Sequence, residues 1–407
     1  MSPKVRLGAM MFLQYAIWGA WAPVLSSYLI NDLGYSGGQV GWIYAMLPLA
    51  TMVSPFVGGQ LADRYFASER VIAFLAVTGG LVLLAVARTS DFTLMAGLML
   101  LYCLLYAPTL ALTNSIAMIN LRDSEAEFGR VRVWGTLGWI AAGLMLTGWR
   151  WLSADGIMPG LAGDTLVLAG GLSIVMGLQS LTLPHTPPKH EGVSPWAFLE
   201  ALKMLRSRDF AVFVGITFVV ATELEFYYIL TAPFLESAIG VSSTNIPAVM
   251  TVGQLAEIFV MAFVLSVALK KYGMRRTLAI GVIAWPIRYV IFAIGSPGWL
   301  VIASLALHGF CYVFFFVAAF IYVDKVAPPD IRGSAQSMIA IVALGLGRFL
   351  GSLFAGGVRD FFTTDGVTAW RSVFLVPCTL TILCAVAFLV FFRERSTARE
   401  ETPPHED

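Results

Sequence analysis

The chain has 407 residues, of which 58% are hydrophobic and only 13% are charged. A soluble domain carries about 25% charged residues, so this composition excludes an ordinary soluble protein. The formal net charge of +1 argues against nucleic acid as a partner. The four cysteines lie in apolar runs without metal-ligand spacing. We therefore expect no disulfide, no metal site and no cofactor.

Long apolar runs follow one another along the whole chain. A helix needs about 20 apolar residues to cross the hydrocarbon core of a bilayer, and each run approaches or exceeds this length. The runs do not alternate with period two, which argues against the strands of a β-barrel. The first run has no small-residue cleavage site, so we interpret it as a span and not as a signal peptide. The twelve predicted spans are about 7–30, 40–62, 70–88, 92–118, 130–149, 164–183, 209–236, 246–269, 275–294, 298–322, 333–357 and 371–392.

The basic residues predict how the chain is oriented. With the N-terminus inside the cell, nineteen lysines and arginines fall in the inner segments and four in the outer segments. Such an excess follows the positive-inside rule. We therefore expect a multi-pass protein of the cell inner membrane, surrounded by lipid, with both termini in the cytoplasm.

Several apolar runs contain ionisable residues far from their ends. A charged side chain near the centre of a bilayer costs about 2.5–3.5 kcal/mol on insertion scales. Residues with this cost usually face a polar cavity or a partner inside the bundle, which indicates a solute pathway. The alternative for each single residue is a structural ion pair or a side chain that reaches the membrane surface. The residues are Arg132, Glu223, Glu225, Glu257, Arg288, His308 and Arg348.

The longest polar connection lies halfway along the chain and includes an amphipathic stretch at 196–205. It divides the chain into a six-helix bundle at 1–183, a cytoplasmic linker at 184–208, a second six-helix bundle at 209–392 and a cytoplasmic tail at 393–407. This layout resembles the major facilitator superfamily. The resemblance implies an all-α integral membrane fold of 12 transmembrane helices, in which two pseudo-symmetric halves rock around a midplane site.

A loop motif supports the resemblance. Gly59, Asp63 and Arg64 match the G-x-x-x-D-R signature of the superfamily between spans two and three, and 270–276 is a degenerate copy in the second half. The resemblance implies that Asp63 and Arg64 form a gate. A carboxylate is favoured near a helix N-terminus and would pair with arginines in one conformation only. The alternative for either loop alone is a solvated charged turn.

More specific motifs resemble the bacterial nucleoside permease family, the nucleoside:proton symporters. They cover nearly the whole chain in register, and the R-x-W-G-T run that begins at Arg132 is the strongest match. The motifs lie at 12–21, 106–114, 132–138, 254–257, 284–288, 322–325 and 332–336. The resemblance implies a secondary active transporter that imports nucleosides by alternating access and is coupled to protons. We expect it to be a monomer and not an enzyme.

Helical spacing groups the polar and aromatic residues of these motifs. Arg132, Thr136 and Trp139 share one face of span five, and Gln254 and Glu257 lie one turn apart in span eight. A nucleoside needs aromatic faces for its base and polar acceptors for its ribose hydroxyls, although aromatic stripes are also typical of packing. The residues that the resemblance implies for substrate binding are Arg132, Thr136, Gln254, Glu257, Glu225, Tyr228, His308, Tyr312 and Phe316, to which the spacing and the motifs add Trp139, Gln14 and Asn114.

Proton coupling is predicted at Glu225 and Glu257. Many relatives carry an aspartate in span ten where this chain has Val313, which cannot titrate. Coupling would then move to one of the two glutamates, with Glu225 as the first choice. The alternative is a facilitator for another small polar solute, such as a nucleobase or a sugar.

Two readings outside transport compete with these predictions. A membrane-embedded enzyme is disfavoured because the chain has no metalloprotease, serine hydrolase or phosphate-binding motif. A receptor that does not transport would not need gate motifs in both halves. Transport is therefore the favoured function.

Overall fold

The structure is a computed structural model that describes residues 2–54, 66–188, 196 and 198–393. The predicted gate residues Asp63 and Arg64 lie outside these residues. The helices are α1 (Pro3–Trp21), α2 (Leu25–Ser27), α3 (Gly37–Ser54), α4 (Ser68–Val86), α5 (Phe92–Asn120), α6 (Ser124–Ala154), α7 (Asp164–Ser180), α8 (Phe198–Ala201), α9 (Arg208–Ser237), α10 (Ile246–Phe259), α11 (Leu265–Ile294), α12 (Gly298–Ser304), α13 (Leu307–Cys311), α14 (Ala318–Val326), α15 (Arg332–Ala340), α16 (Gly347–Phe361) and α17 (Trp370–Phe391).

Short irregular segments extend or join these helices. Wider π-helical turns lie at Tyr28–Asp32, Val260–Val264, Tyr312–Val317 and Ile341–Leu346, and 3₁₀ turns lie at Leu202–Arg206 and Pro329–Ile331. Two short strands, β1 (Thr363–Thr364) and β2 (Val367–Thr368), pair antiparallel in the connection between α16 and α17. The fold is therefore all-α apart from one small hairpin in the described residues, as predicted.

Seven helical segments of the described chain are long and apolar enough to cross a membrane. One of them, Ile246–Ile294, is 49 residues long and is broken at Gly273, whose φ of 76° is left-handed. Glycine adopts this conformation without steric cost, so the segment forms two arms where two spans were predicted. The remaining predicted spans correspond to α1, α3, α6 and α7, and of the span predicted at 40–62 the structure describes residues up to Ser54. That these four also cross the membrane stays a prediction.

Glycines bring α1 and α6 into close contact. A Cβ at Gly138 of α6 would clash with the main chain of Phe12, and a Cβ at Gly19 of α1 would clash with the main chain of Trp139. Small residues at such crossings are how membrane helices approach each other closely. Part of the R-x-W-G-T-x-G motif therefore serves packing, which holds the face of α6 that carries Arg132 beside α1.

The two halves of the chain meet at the face opposite to the linker helix α8, here called the far face. The carboxylate of Asp360 accepts hydrogen bonds there from the main-chain N–H groups of Gly37, at 2.5 Å, and Gly38, at 2.7 Å. The side-chain amide of Asn31 donates to the Glu236 carboxylate at 2.9 Å. Each of these bonds joins an N-terminal element to a C-terminal one, so together they hold the far face closed.

A second set of bonds lies at the far face around α6, and two of them join α6 to the C-terminal half. Arg150 donates two hydrogen bonds to the Asp164 carboxylate, at 2.7 and 2.8 Å, and a third to the carbonyl oxygen of Ser243, at 2.7 Å. The main-chain N–H of Ala248 donates to the hydroxyl of Thr147 at 3.0 Å. Opening this face would break the bonds from Arg150 to Ser243 and from Ala248 to Thr147, whereas the bonds from Arg150 to Asp164 lie within the N-terminal half.

The linker contains the short helix α8 and a 3₁₀ turn within the stretch predicted to be amphipathic. Leu199 and Leu202 are 46% and 45% exposed, whereas Phe198 packs against the core. The helix contacts α15 in the second half. An exposed apolar edge of this kind favours contact with lipid, which remains a prediction for this stretch.

Candidate functional site

A cavity of about 500 Å³ lies between the two halves. Its volume falls within the roughly 300–1,000 Å³ of small-molecule pockets. Helices α1, α3, α5 and α6 form one wall, and α9, α10 and the segments around α13, α15 and α16 form the other. The lining residues are Tyr15, Trp18, Leu47, Pro48, Thr51, Leu110, Ala111, Asn114, Arg132, Thr136, Trp139, Leu224, Tyr228, Gln254, Glu257, Tyr312, Ala340, Leu344 and Arg348.

Most of the residues predicted to bind substrate lie together on the walls of this cavity. They come from five helical segments that are far apart in sequence, and both halves contribute. The predicted residues that line the cavity are Asn114, Arg132, Thr136, Trp139, Tyr228, Gln254, Glu257 and Tyr312. Gln14, Glu225, His308 and Phe316 do not line it.

Three aromatic side chains stand side by side where the halves meet. The rings of Trp18 and Trp139 are 5.4 Å apart at 58°, and those of Trp139 and Tyr228 are 6.2 Å apart at 54°. Tilted and offset ring pairs at these distances are favourable. The three residues, here called the aromatic wall, offer flat apolar surfaces to a planar ligand.

Arg132 lies over an aromatic ring within the cavity. Its Cζ atom is 3.9 Å from the ring centroid of Tyr15, a cation–π arrangement. A Cβ at Gly135 would clash with both the Tyr15 ring and the Arg132 guanidinium, so glycine at this position makes the stack possible. The charge of Arg132 acts on the carboxylate of Glu257. The cavity therefore carries an arginine on the N-terminal wall and a carboxylate on the C-terminal wall.

Glu225, the first choice for proton coupling, lies behind the cavity wall in an ion pair with the lining residue Arg348. Its Oε1 atom accepts a hydrogen bond from Nε of Arg348 at 2.5 Å, and its Oε2 atom accepts one from the Ser352 hydroxyl at 3.1 Å. The side chains of Glu225 and Arg348 are only 1% and 11% exposed. Arg348 also lies over the rings of Trp18 and Tyr228, at 5.6 and 5.4 Å. The structure thus supplies Glu225 with a structural partner that the prediction did not include.

Three further predicted residues lie behind the cavity wall. The side-chain amide of Gln14 donates to the hydroxyl of Thr109 at 2.9 Å, and the residue is fully buried. His308 and Phe316 flank the cavity residue Tyr312, with ring centroids 5.6 and 5.5 Å from it. These side chains position the wall instead of lining it in this conformation.

Four side chains that line the cavity and could contact a ligand were not predicted from the sequence as substrate-binding residues. Tyr15 and Trp18 face the cavity, although the more polar Gln14 was selected on the same helix. Thr51 and Arg348 also line it. A basic residue in the middle of an apolar run did single out Arg348, but no local signal shows which carboxylate it meets.

A helical bundle whose halves enclose a polar, aromatic-lined cavity that is closed at one face has the architecture of an alternating-access transporter. The model of the family described as "Nucleoside H+ symporter" matches residues 1–397. The chain belongs to this family. It is a membrane transporter and not an enzyme.

Two relatives and one solved structure agree with this assignment. The chain is 36% identical to "Putative nucleoside transporter YegT" of Escherichia coli (strain K12), over 97% of this chain and 95% of that protein. It is 28% identical to the nucleoside permease NupG of the same organism, over 97% and 96%. The crystal structure of the nucleoside transporter NupG superposes with a TM-score of 0.85 at 27% identity, and the match covers 97% of this chain and 100% of that one. The major facilitator fold predicted from the sequence is confirmed.

Proposed function

We propose that this protein imports nucleosides together with protons and that the cavity between its halves is the substrate site. The observation that carries the proposal is the composition of the cavity. An aromatic wall, an arginine and an amide–carboxylate pair face one volume of about 500 Å³. This combination suits a ligand with a flat ring at one end and several hydroxyls at the other.

Each part of a nucleoside has a matching part of the cavity. The base would stack on Trp18, Trp139 or Tyr228, and such stacking contributes about 1–3 kcal/mol per base. The ribose hydroxyls would donate to the carboxylate of Glu257 and bond the amide of Gln254. Thr136, Asn114 and Arg132 would then bond the base edge from the opposite wall. Tyr312 would close the cavity behind the sugar.

Among the two carboxylates predicted to couple protons, the structure favours Glu257. It lines the cavity, so both substrate and protons could reach it. Glu225 is compensated by Arg348 and Ser352, which favours a structural role. We therefore propose that Glu257 exchanges protons through the cavity and that Glu225 fixes Arg348 at the wall.

The direction of transport rests on the predicted orientation. If the basic residues place both termini in the cytoplasm, the closed far face is periplasmic and the structure is in an inward-facing state. The bundles 1–183 and 209–392 would then rock about the cavity. Since one chain supplies both walls, we propose that a monomer in the bacterial inner membrane is sufficient.

Competition experiments test the proposed substrate. In proteoliposomes that take up labelled adenosine, uridine should compete well, and adenine and uracil poorly. A site built for ribose hydroxyls rejects a ligand that lacks them, because its buried acceptors are left unpaired. Glu257→Gln should weaken nucleoside competition, whereas Glu200→Gln, at an exposed glutamate of the linker, should behave as wild type. Equal competition by adenine and adenosine would overturn the ribose assignment and favour a nucleobase carrier.

A further inference from the structure

A second group of ionisable residues is buried in the C-terminal half, one layer behind the cavity. Glu223 of α9, Arg288 of α11 and His308 of α13 each have 0% of their surface exposed. In the part of the chain that the structure describes, neither carboxylate oxygen of Glu223 has a hydrogen-bond partner, and the same holds for Nε and Nη2 of Arg288 and Nε2 of His308. None of these three residues lines the proposed substrate cavity.

Aromatic rings surround the guanidinium of Arg288. Its Cζ atom lies 4.4 Å from the ring centroid of Tyr227, 4.5 Å from that of Trp285 and 5.2 Å from that of Tyr289. Cation–π contacts of this kind stabilise a desolvated arginine. The hydroxyl of Tyr289 also donates to the main-chain oxygen of Glu223, at 2.5 Å. This bond holds α11 and its arginine beside the glutamate.

The arrangement suits a neutral Glu223 and a charged Arg288. An ionised carboxylate buried without hydrogen bonds costs several kcal/mol, whereas a protonated carboxyl costs much less. The positive charge of Arg288 acts on Glu223. When Glu223 loses its proton, Arg288 is therefore the available countercharge, and it would have to leave the rings to form the ion pair. Loss or gain of one proton would thus select between two positions of Arg288.

Stacked rings connect this cluster to the cavity. The rings of Tyr227 and His308 stack at 4.6 Å and 15°, and His308 stacks in turn on the cavity residue Tyr312 at 5.6 Å. The charges of Glu257 and Arg288 both act on Tyr227, whose hydroxyl has no hydrogen-bond partner among the described residues. The absence of a side chain at Gly253 of α10 lets the Tyr227 hydroxyl approach this helix closely, since a Cβ there would clash with it.

We propose that Glu223 is a proton-binding carboxyl of the transport cycle and that Arg288 is its movable partner. In the transfer, one proton leaves the Glu257 carboxyl, crosses the layer of Tyr227 and His308, and adds to the Glu223 carboxylate. Arg288 stays positively charged and returns to its rings, so the net charge of the protein does not change. The inference rests on the proposed coupling of nucleoside import to protons and assigns a second site to it.

Other titratable groups face Glu223 without compensating its charge. The thiols of Cys378 and Cys384 in α17 are within electrostatic range of it. Arg348 of α16 is engaged by Glu225, two residues along α9. Within residues 2–54, 66–188, 196 and 198–393, the titratable and charged groups around the cluster are Tyr227, Arg288, Tyr289, His308, Cys311, Cys378 and Cys384, with Glu257 also acting on Tyr227.

Transport by Glu223→Gln tests the proposal. Because glutamine resembles a protonated carboxyl in size and the carboxylate makes no hydrogen bond to any residue that the structure describes, the variant should fold and bind nucleoside. It should exchange labelled for unlabelled nucleoside as wild type does. Its accumulation under an inward proton gradient should fall to the level measured without a gradient. Glu200→Gln, with its exposed glutamate, should accumulate as wild type.

Infrared difference spectra between two pH values give a second measurement that does not depend on transport. A carboxyl band that titrates in the wild type should be missing in Glu223→Gln. The proposal is wrong if the variant accumulates nucleoside as wild type does, if it loses exchange as well as accumulation, or if the full titrating band persists. A wild type that transports no nucleoside would refute the proposed function, and the infrared band would still decide whether Glu223 binds a proton.

Discussion

The ion pair between Glu225 and Arg348 gives the sharpest stability prediction. It joins α9 to α16, and both side chains are nearly buried, with 1% and 11% exposed. Removing one partner of a buried pair leaves the other charge uncompensated, which costs about 3–5 kcal/mol. Replacing both partners by neutral residues avoids that cost. We therefore expect the two single variants to be destabilised and the double variant Glu225→Gln/Arg348→Gln to recover most of the loss.

The two single variants should differ because the two partners have different surroundings. In Arg348→Gln, the stranded carboxylate keeps one hydrogen bond, from Ser352, and the loss should be about 3 kcal/mol. In Glu225→Gln, the stranded guanidinium still faces the cavity and the rings of Trp18 and Tyr228. We expect this variant to lose less stability than Arg348→Gln.

Heat unfolding in detergent, followed by size-exclusion chromatography, measures the order of stability. Wild type should be the most stable protein, followed by the double variant, Glu225→Gln and Arg348→Gln. In parallel, Glu225→Gln should still accumulate nucleoside under a proton gradient. Unchanged stability combined with lost accumulation in Glu225→Gln would refute the structural role and return Glu225 to the position of coupling residue.

Three further predictions concern the cavity and the far face. Arg132→Ala should lose nucleoside binding with little change in unfolding temperature, because Arg132 lies over the Tyr15 ring and forms no ion pair among the described residues. A large fall in the unfolding temperature with binding intact would contradict this prediction. Trp18→Ala should weaken binding by about 1–3 kcal/mol in a direct binding assay, and unchanged affinity would remove Trp18 from the site. Asp360→Asn should weaken the hydrogen bond from the main chain of Gly37. A reagent added at the far face should then label a cysteine placed in the cavity more strongly, and unchanged labelling would refute this prediction.

The helices and one face of the cavity could be predicted because the sequence patterns that indicate them lie within single short segments of the chain. Apolar runs locate the helices, and the spacing of Arg132, Thr136 and Trp139 puts them on one face of a helix, where all three line the cavity. Hydropathy alone also located the break near Gly273, between two predicted spans. These predictions need only the period of a helix and the length of a bilayer crossing.

The contacts between distant residues were not predictable. Glu225 and Arg348 are 123 positions apart, and nothing in either neighbourhood indicates that they pair. Helical spacing and a motif predict Gln14 at the site, yet its side-chain amide donates to Thr109 of a neighbouring helix, and Tyr15 lines the cavity instead. Which side of a helix faces a cavity depends on the rotation of the helix about its own axis. In a helix that is apolar on all sides, the sequence pattern does not indicate that rotation.

Uptake of labelled nucleoside into proteoliposomes tests the central claim most directly. Purified protein is reconstituted, and uptake is followed with the outside more acidic than the lumen, with no gradient, and with the gradient collapsed by a protonophore. We predict accumulation above the external concentration only when the gradient is present, and loss of that accumulation on adding the protonophore. Uptake that stops at equal concentrations on both sides in all three conditions would contradict proton coupling and identify the protein as a facilitator.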